Sequence, residues 1–257
     1  MSDDILLRER RGRVEILTLN RPDARNAISP ELGNAVGNAL DQLATDDDVW
    51  VVVITGAGPV FSAGADLKVV AEGRGAEIDR APGGFGGICR RDFPKPLIAA
   101  VNGPALAGGF EIVLACDMVV AAATASFGLP EAKRGLLAAA GGLFRLAKRV
   151  PRPIAQEIAL TGEAIAVERA FGLGLVNRVV PADRVLDEAI ALAETIAANA
   201  PLSVRLSKRV ILDTEDPPED EGWRITFEAA AELMGSEDVI EGSMAFVEKR
   251  APVWKGR

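Results

Sequence analysis

Residues 97–122 read LIAAVNGPALAGGFEIVLACDMVVAA, and three kinds of local order follow one another along them. Residues 97–101 form an uninterrupted apolar run that Asn102, Gly103 and Pro104 break. Gly108 and Gly109 then open a helical stretch through Ile112 and Ala115, and a second apolar run occupies 118–122. A short apolar run bounded by turn residues marks a strand covered on both faces. Two such runs joined through a glycine turn and a helix make a strand–helix–strand unit with parallel strands. Outward from this stretch the same grammar repeats. Residues 49–55 (VWVVVIT) are a continuous apolar run ended by Gly56, and 14–20 (VEILTLN) alternate until Arg21, Pro22 and Asp23. Shorter runs lie at 126–127 and 175–180. Ser29, Pro30 and Glu31 read as an N-cap, a proline at the first helical position and an acidic first turn. A helix is expected to follow them with Leu32, Val36, Leu40 and Leu43 inward.

The pattern predicts an α/β fold to about residue 200 and a helical part beyond it. Residues 182–198, 202–212 and 223–234 are helical in period, and no strand is expected after Pro181. Residues 213–221 (DTEDPPEDE) read as a solvated acidic connector, and the glycine-rich residues 73–87 as a mobile surface loop lining an entrance. The strand–turn–helix rhythm recurs without a strict short-period sequence repeat.

Composition narrows the chemistry. The 257 residues contain no histidine and no tyrosine, and the formal net charge is −8. That charge argues against nucleic acid as the main partner, which requires a positive footprint. No apolar run is long enough to span a membrane, and the first residues have neither the basic flank nor the apolar core of a signal peptide. A cytoplasmic protein is expected. Cys89 and Cys116 form no C-x-x-C pair and have no histidine to complete a dyad or a metal set, so they read as reduced, buried thiols. No metal is expected. Residues 56–61 (GAGPVF) follow a buried strand like a dinucleotide fingerprint, but Pro59 sits in the turn and Phe61 stands where the third glycine belongs.

Without histidine, proton transfer near neutral pH falls to carboxylates or lysines in unusual surroundings. Two segments offer the accompanying polar machinery. In 61–68 (FSAGADLK), small residues let a ligand approach the backbone and Asp66 is placed to start a helix. In 105–111 (ALAGGFE), Gly108 and Gly109 strip side chains from another helix start. Amides at helix starts lack internal partners and point outward, so two starts brought together make a donor pair for a developing oxyanion. Taken singly, each start is more often a packing device. Glu111 lies one turn beyond Gly108 among apolar neighbours, where burial raises a carboxylate's proton affinity. Glu131 follows Phe127-Gly128-Leu129-Pro130, but Lys133 and Arg134 beside it also fit a salt-bridged surface charge.

FSAGADLK, AAVNGPALAGGFEIVLACDMVVA and ASFGLPEAKRGL together closely resemble the enoyl-CoA hydratase/isomerase (crotonase) superfamily. The likeness runs from LTLNRPDARNAIS through TGEAIAVERAFGLGLVNRVV to EGSMAFVEKRAPVW. The resemblance implies a crotonase-like spiral of repeated ββα units over residues 1–200. It implies a helical C-terminal region over 201–257 that serves trimerisation and completes the CoA site, with homotrimers or hexamers as the assembly. It places the oxyanion hole on the backbone amides of Ala65 and Gly108, and the catalytic carboxylates on Glu111 and Glu131. Ala63, Asp66 and Leu67 then lie along the coenzyme A path, and Phe246 and Lys249 match positions that hold CoA, often from a neighbouring subunit. The implied activity is reversible hydration of a trans-2-enoyl-CoA, with no cofactor beyond the CoA of the substrate. Double-bond isomerisation, dehydration of a carnitinyl-type thioester, and the RNA binding of some relatives are the alternatives. Two segments depart from the family pattern. Ala107-Gly108-Gly109 replaces a glycine triplet, and residues 135–142 (GLLAAAGG) replace Gly-x-x-Pro-Gly-Ala-Gly-Gly, which puts acyl-chain preference in question.

Overall fold

The computed structural model describes residues 4–214, Arg224, Glu228, Glu232 and residues 235–257, without the side chains of Val239, Ser243, Phe246 and Val247. The acidic connector and most of the helix expected over 223–234 lie outside the described residues. Nine strands form two sheets among the described residues. Leu6–Arg11 (β1), Val14–Leu19 (β2), Val51–Gly56 (β3) and Leu97–Val101 (β4) begin the series. Ala105–Leu106 (β5), Met118–Ala122 (β6), Ser126–Gly128 (β7), Ile165–Ala166 (β8) and Arg178–Val180 (β9) complete it. The larger sheet has the order β1-β2-β3-β4-β6-β9 and the smaller β5-β7-β8. In the larger sheet only β1–β2 is antiparallel; the other four pairings are parallel. All residues of β3 and β4 are buried, as continuous apolar runs require. The sequence pattern does not announce β1, because its LLRERR sequence is an edge strand with five exposed positions. Its charge suits an edge that must not recruit another strand. The run at 175–180 is extended only at Arg178–Val180.

The smaller sheet continues through two single bridges, Ile28 to Ala65 and Ser62 to Ala105, both parallel. The chain therefore repeats one movement. A strand enters the large sheet, a short extended piece enters the small one, and a helix follows. Val14–Leu19, the Ile28 bridge and helix α1 (Pro30–Thr45) are the first unit. Val51–Gly56, residues 62–65 and helix α2 (Leu67–Ala71) are the second. Leu97–Val101, β5 and a helix at Gly108–Ala115 are the third, and β6 with β7 begins the fourth. Successive turns place their small-sheet pieces side by side, so the helix starts that follow them also become neighbours. That stacking positions the site.

The first helix carries Leu32, Val36, Leu40 and Leu43 fully buried, as its period predicted. Helix Val185–Ala197 packs across β2, β3, β4 and β6, covering one face of the large sheet. Residues 73–87 are packed rather than a free surface loop. They contain a helical turn at Gly75–Ile78 (α3) and a 3-10 turn at Phe85–Gly87, with Ile78, Ala81 and Phe85 buried. Arg91 ties this arm to α1, donating to the carbonyls of Gly37, Pro82 and Gly87 at 2.8–2.9 Å. Glycine composition suggested looseness; the buried apolar residues between the glycines anchor the arm instead. Both cysteines are free and buried, and burial holds the Cys116 thiol up at about 12.

Candidate active site

Helix α4 (Gly108–Ala115) starts without a side-chain cap. Its preceding residue, Ala107, stands at φ 52 and ψ −131, a region that side chains disfavour, and its amide donates to Gly128 O at 2.9 Å. Gly108 and Gly109 have no room for a Cβ. At Gly108 it would stand 2.3 Å from Phe85 Cζ, and at Gly109 2.2 Å from the Ser62 carbonyl oxygen. The second unit approaches as closely: a Cβ on Gly64 would lie 2.9 Å from the Gly108 nitrogen. The residues after Gly64 and Ala107 are Ala65 and Gly108, so their amides are brought to one place. Among the described residues neither amide donates to a partner in the chain. Both line a cleft of about 860 Å³, of the size that holds a small-molecule group.

Glu111 and Glu131 line the same cleft. Glu111 is only 3% exposed, and its Oε1 accepts from Gly142 N at 2.9 Å. Burial pushes its carboxyl up to about 7, with the nearby Glu131 adding to the rise, while the amides of Gly142 and Ala140 and the Arg145 cation oppose it. Glu131 sits in a 3-10 turn at Pro130–Arg134 and is half-buried, and desolvation raises its carboxyl as well. Its Oε2 is buried and has no hydrogen-bond partner. The salt-bridge reading of this residue fails because its neighbours are engaged elsewhere. Lys133 reaches Glu163 at 2.5 Å and Arg134 donates to the Pro130 carbonyl. Two carboxyls with raised proton affinity therefore share a cleft with two unbonded amides, a combination suited to moving protons beside a developing oxyanion.

The other expected residues divide. Ala63, Asp66 and Leu67 line the cleft. Asp66 also acts locally, since its side chain caps α2 through Lys68 N at 3.1 Å and pairs with Arg21 at 2.9 Å. Lys249 is exposed at the end of helix Glu237–Glu248 and is not among the residues lining the cleft. The Phe246 side chain lies outside the described residues. Four residues escaped the sequence reading. Phe85 packs on Gly108, Gly142 holds Glu111, and Arg25 and Lys68 line the cleft. The Gly141-Gly142 pair was the available signal for the second. A Cβ at Gly142 would stand 2.8 Å from Glu111 Cγ.

The model of the enoyl-CoA hydratase/isomerase family matches residues 9–257. The chain belongs to that family. A carnitinyl-CoA dehydratase of Salmonella typhi is 43% identical over 263 residues, spanning all of both chains. A solved enoyl-CoA hydratase from Mycobacterium tuberculosis H37Rv is 45% identical with a TM-score of 0.94, over 98% of this chain and 99% of that one. A carnitinyl-CoA hydratase from Mycobacterium avium is 48% identical with a TM-score of 0.78, over the whole of both. The two-sheet spiral with helical C-terminal region is thus the crotonase fold, and the chain is an enzyme of the hydro-lyase kind.

Proposed function

We propose that the cleft hydrates a trans-2-enoyl-CoA reversibly to a 3-hydroxyacyl-CoA. The observation that carries this reading is the pair of raised carboxyls, Glu111 and Glu131, sharing one cleft with the unbonded amides of Ala65 and Gly108. The thioester oxygen accepts from those two amides, which stabilise the charge that collects there as water adds. Glu111 takes a proton from water as the hydroxyl oxygen bonds to the β-carbon, and Glu131 gives its proton to the α-carbon. The environments of the two carboxyls differ: Glu111 Oε1 accepts from the Gly142 N–H, while the buried Glu131 Oε2 has no hydrogen-bond partner. The charge of Glu131 adds to the rise of Glu111, and the reaction as proposed needs one of the two carboxyls protonated and the other ionised.

Ala63, Asp66 and Leu67 line the coenzyme A path in this reading, with Arg25 and Lys68 toward its phosphates. The reaction as proposed uses no cofactor beyond the CoA of its substrate. Phe246 and Lys249 are proposed to reach a neighbouring subunit's CoA in a homotrimer, two of which pair as a hexamer. A cytoplasmic setting accords with the lack, among the described residues, of a helix able to cross a membrane.

Glu111→Gln and Glu131→Gln should each slow hydration of a short-chain enoyl-CoA by about 10²–10⁴-fold, followed through loss of the conjugated enoyl absorbance. Near wild-type rates in both variants would overturn the assignment. Dehydration of a carnitinyl thioester is the second reading, favoured by the relatives of that name at 43% and 48% identity. A substrate panel containing apolar and carnitinyl thioesters separates the two, and a product that gains no water marks an isomerase.

A further inference from the structure

Arg145 occupies the opening turn of helix α5 (Gly142–Arg149), where the helix dipole disfavours a cation. Helix stability therefore does not account for it. Its guanidinium reaches two carbonyls from separate parts of the chain: Cys89 O at 2.7 Å and Ala140 O at 3.2 Å. Cys89 ends the arm that presses Phe85 onto Gly108, and its own amide bonds back to Phe85 O at 3.1 Å. Ala140 precedes the turn whose Gly142 amide holds Glu111. Between them Gly141 adopts φ 101, and a Cβ there would stand 2.1 Å from Arg145 Nη1. The turn is thus built around the guanidinium. The guanidinium carbon also lies 4.9 Å from the centroid of the Phe144 ring.

We infer that Arg145 is a positioning residue for Glu111, bridging the Phe85–Cys89 arm and the 140–142 turn so that the Gly142 amide and the Gly108 amide keep their aim. The inference rests on the reading that Glu111 does the proton work. A lysine cannot replace the fork, because its ammonium is a single point without the planar geometry that spans two acceptors. The charged and titratable groups facing Glu111 are Glu131 from the 3-10 turn, Arg145 from α5 and the Cys89 thiol from the arm. Arg145 is the cation among them, so its removal raises the proton affinity of Glu111 further.

The test compares Arg145→Gln and Arg145→Lys by kcat, KM and the pH profile of kcat, on protein whose folded fraction is checked by thermal melting. For Arg145→Gln, kcat should fall about tenfold to a hundredfold from misplacement, with the acid limb moved to higher pH and KM little changed. Arg145→Lys should leave the acid limb near its wild-type position while kcat stays reduced, and it decides the matter if the glutamine variant does not fold. An unmoved limb in Arg145→Gln, or wild-type kcat in folded Arg145→Lys, overturns the proposal. Full activity in Glu111→Gln would instead overturn the hydratase reading, so the two failures are distinct.

Discussion

The first and third units of the spiral start their helices at equivalent places and finish them differently. After the Ile28 bridge, Ser29 accepts from Leu32 N at 3.3 Å, Pro30 fills the first helical position and Glu31 lies in the first turn. After β5, Ala107 adopts a positive φ, no side chain caps the helix, and the Gly108 amide is left open to the cleft. Each start has a glutamate in its first turn. Glu31 is exposed, and the Ser29 hydroxyl and its own amide hold its carboxyl below the usual range. Glu111 is buried, and desolvation holds its carboxyl up at about 7. One residue type in one structural role thus acquires opposite proton affinities. The reactive place is made by leaving open what the repeat elsewhere satisfies.

By that contrast, the open start costs stability. The folded-state value of Glu111, about 7, lies above its ordinary 4.5, so the native state holds this proton more tightly than the unfolded chain. The stabilising contribution is full below 4.5 and is lost as pH rises through about 7. Gln keeps the acceptor facing Gly142 and has no charge to bury. Glu111→Gln should therefore match the wild type near pH 4.5 and exceed it by up to about 3 kcal/mol above pH 7. Urea denaturation at pH 5 and pH 8 measures the difference, and a pH-independent gap would break the comparison.

The closed start was legible in the sequence because every part of it is local. Ser29, Pro30, Glu31 and the period of Leu32, Val36, Leu40 and Leu43 lie within fifteen residues. The buried strands β3, β4 and β6 were legible for the same reason. Of the small sheet only β7 was, through the short run at 126–127; β5 and β8 are two residues long and have no period to detect. Glu111 stood out through its apolar neighbours. Glu131 did not, since Lys133 beside it pairs with Glu163, thirty residues away. Gly142 lies thirty-one residues from the carboxylate it holds, and only folding reveals that contact. The arm at 73–87 misled because glycine count says nothing about where Ile78 and Phe85 are buried.

A smaller effect should appear when the closed start is opened. Ser29→Ala removes the acceptor for the buried Leu32 amide and one of the hydrogen bonds that lower Glu31. The cost should be about 1 kcal/mol, read by denaturant titration. Hydration by the folded fraction should be unchanged, because Ser29 does not line the cleft. A loss of kcat would show that the two starts are coupled through the small sheet rather than separate in function.

The smallest effect should come from relaxing the open start. Ala107 is held at φ 52 and ψ −131, where a Cβ is strained. Glycine removes that strain but loses more freedom on folding, so Ala107→Gly should gain about 1 kcal/mol or less. The result bears on what the strained turn does. Ala107 places the amide of Gly108, and its methyl lies against the Gly64 backbone of the neighbouring unit. A higher Tm with wild-type kcat means the backbone path alone aims the Gly108 amide. A higher Tm with reduced kcat/KM means the methyl contact keeps the two amides in register, and the strain is then part of the oxyanion hole.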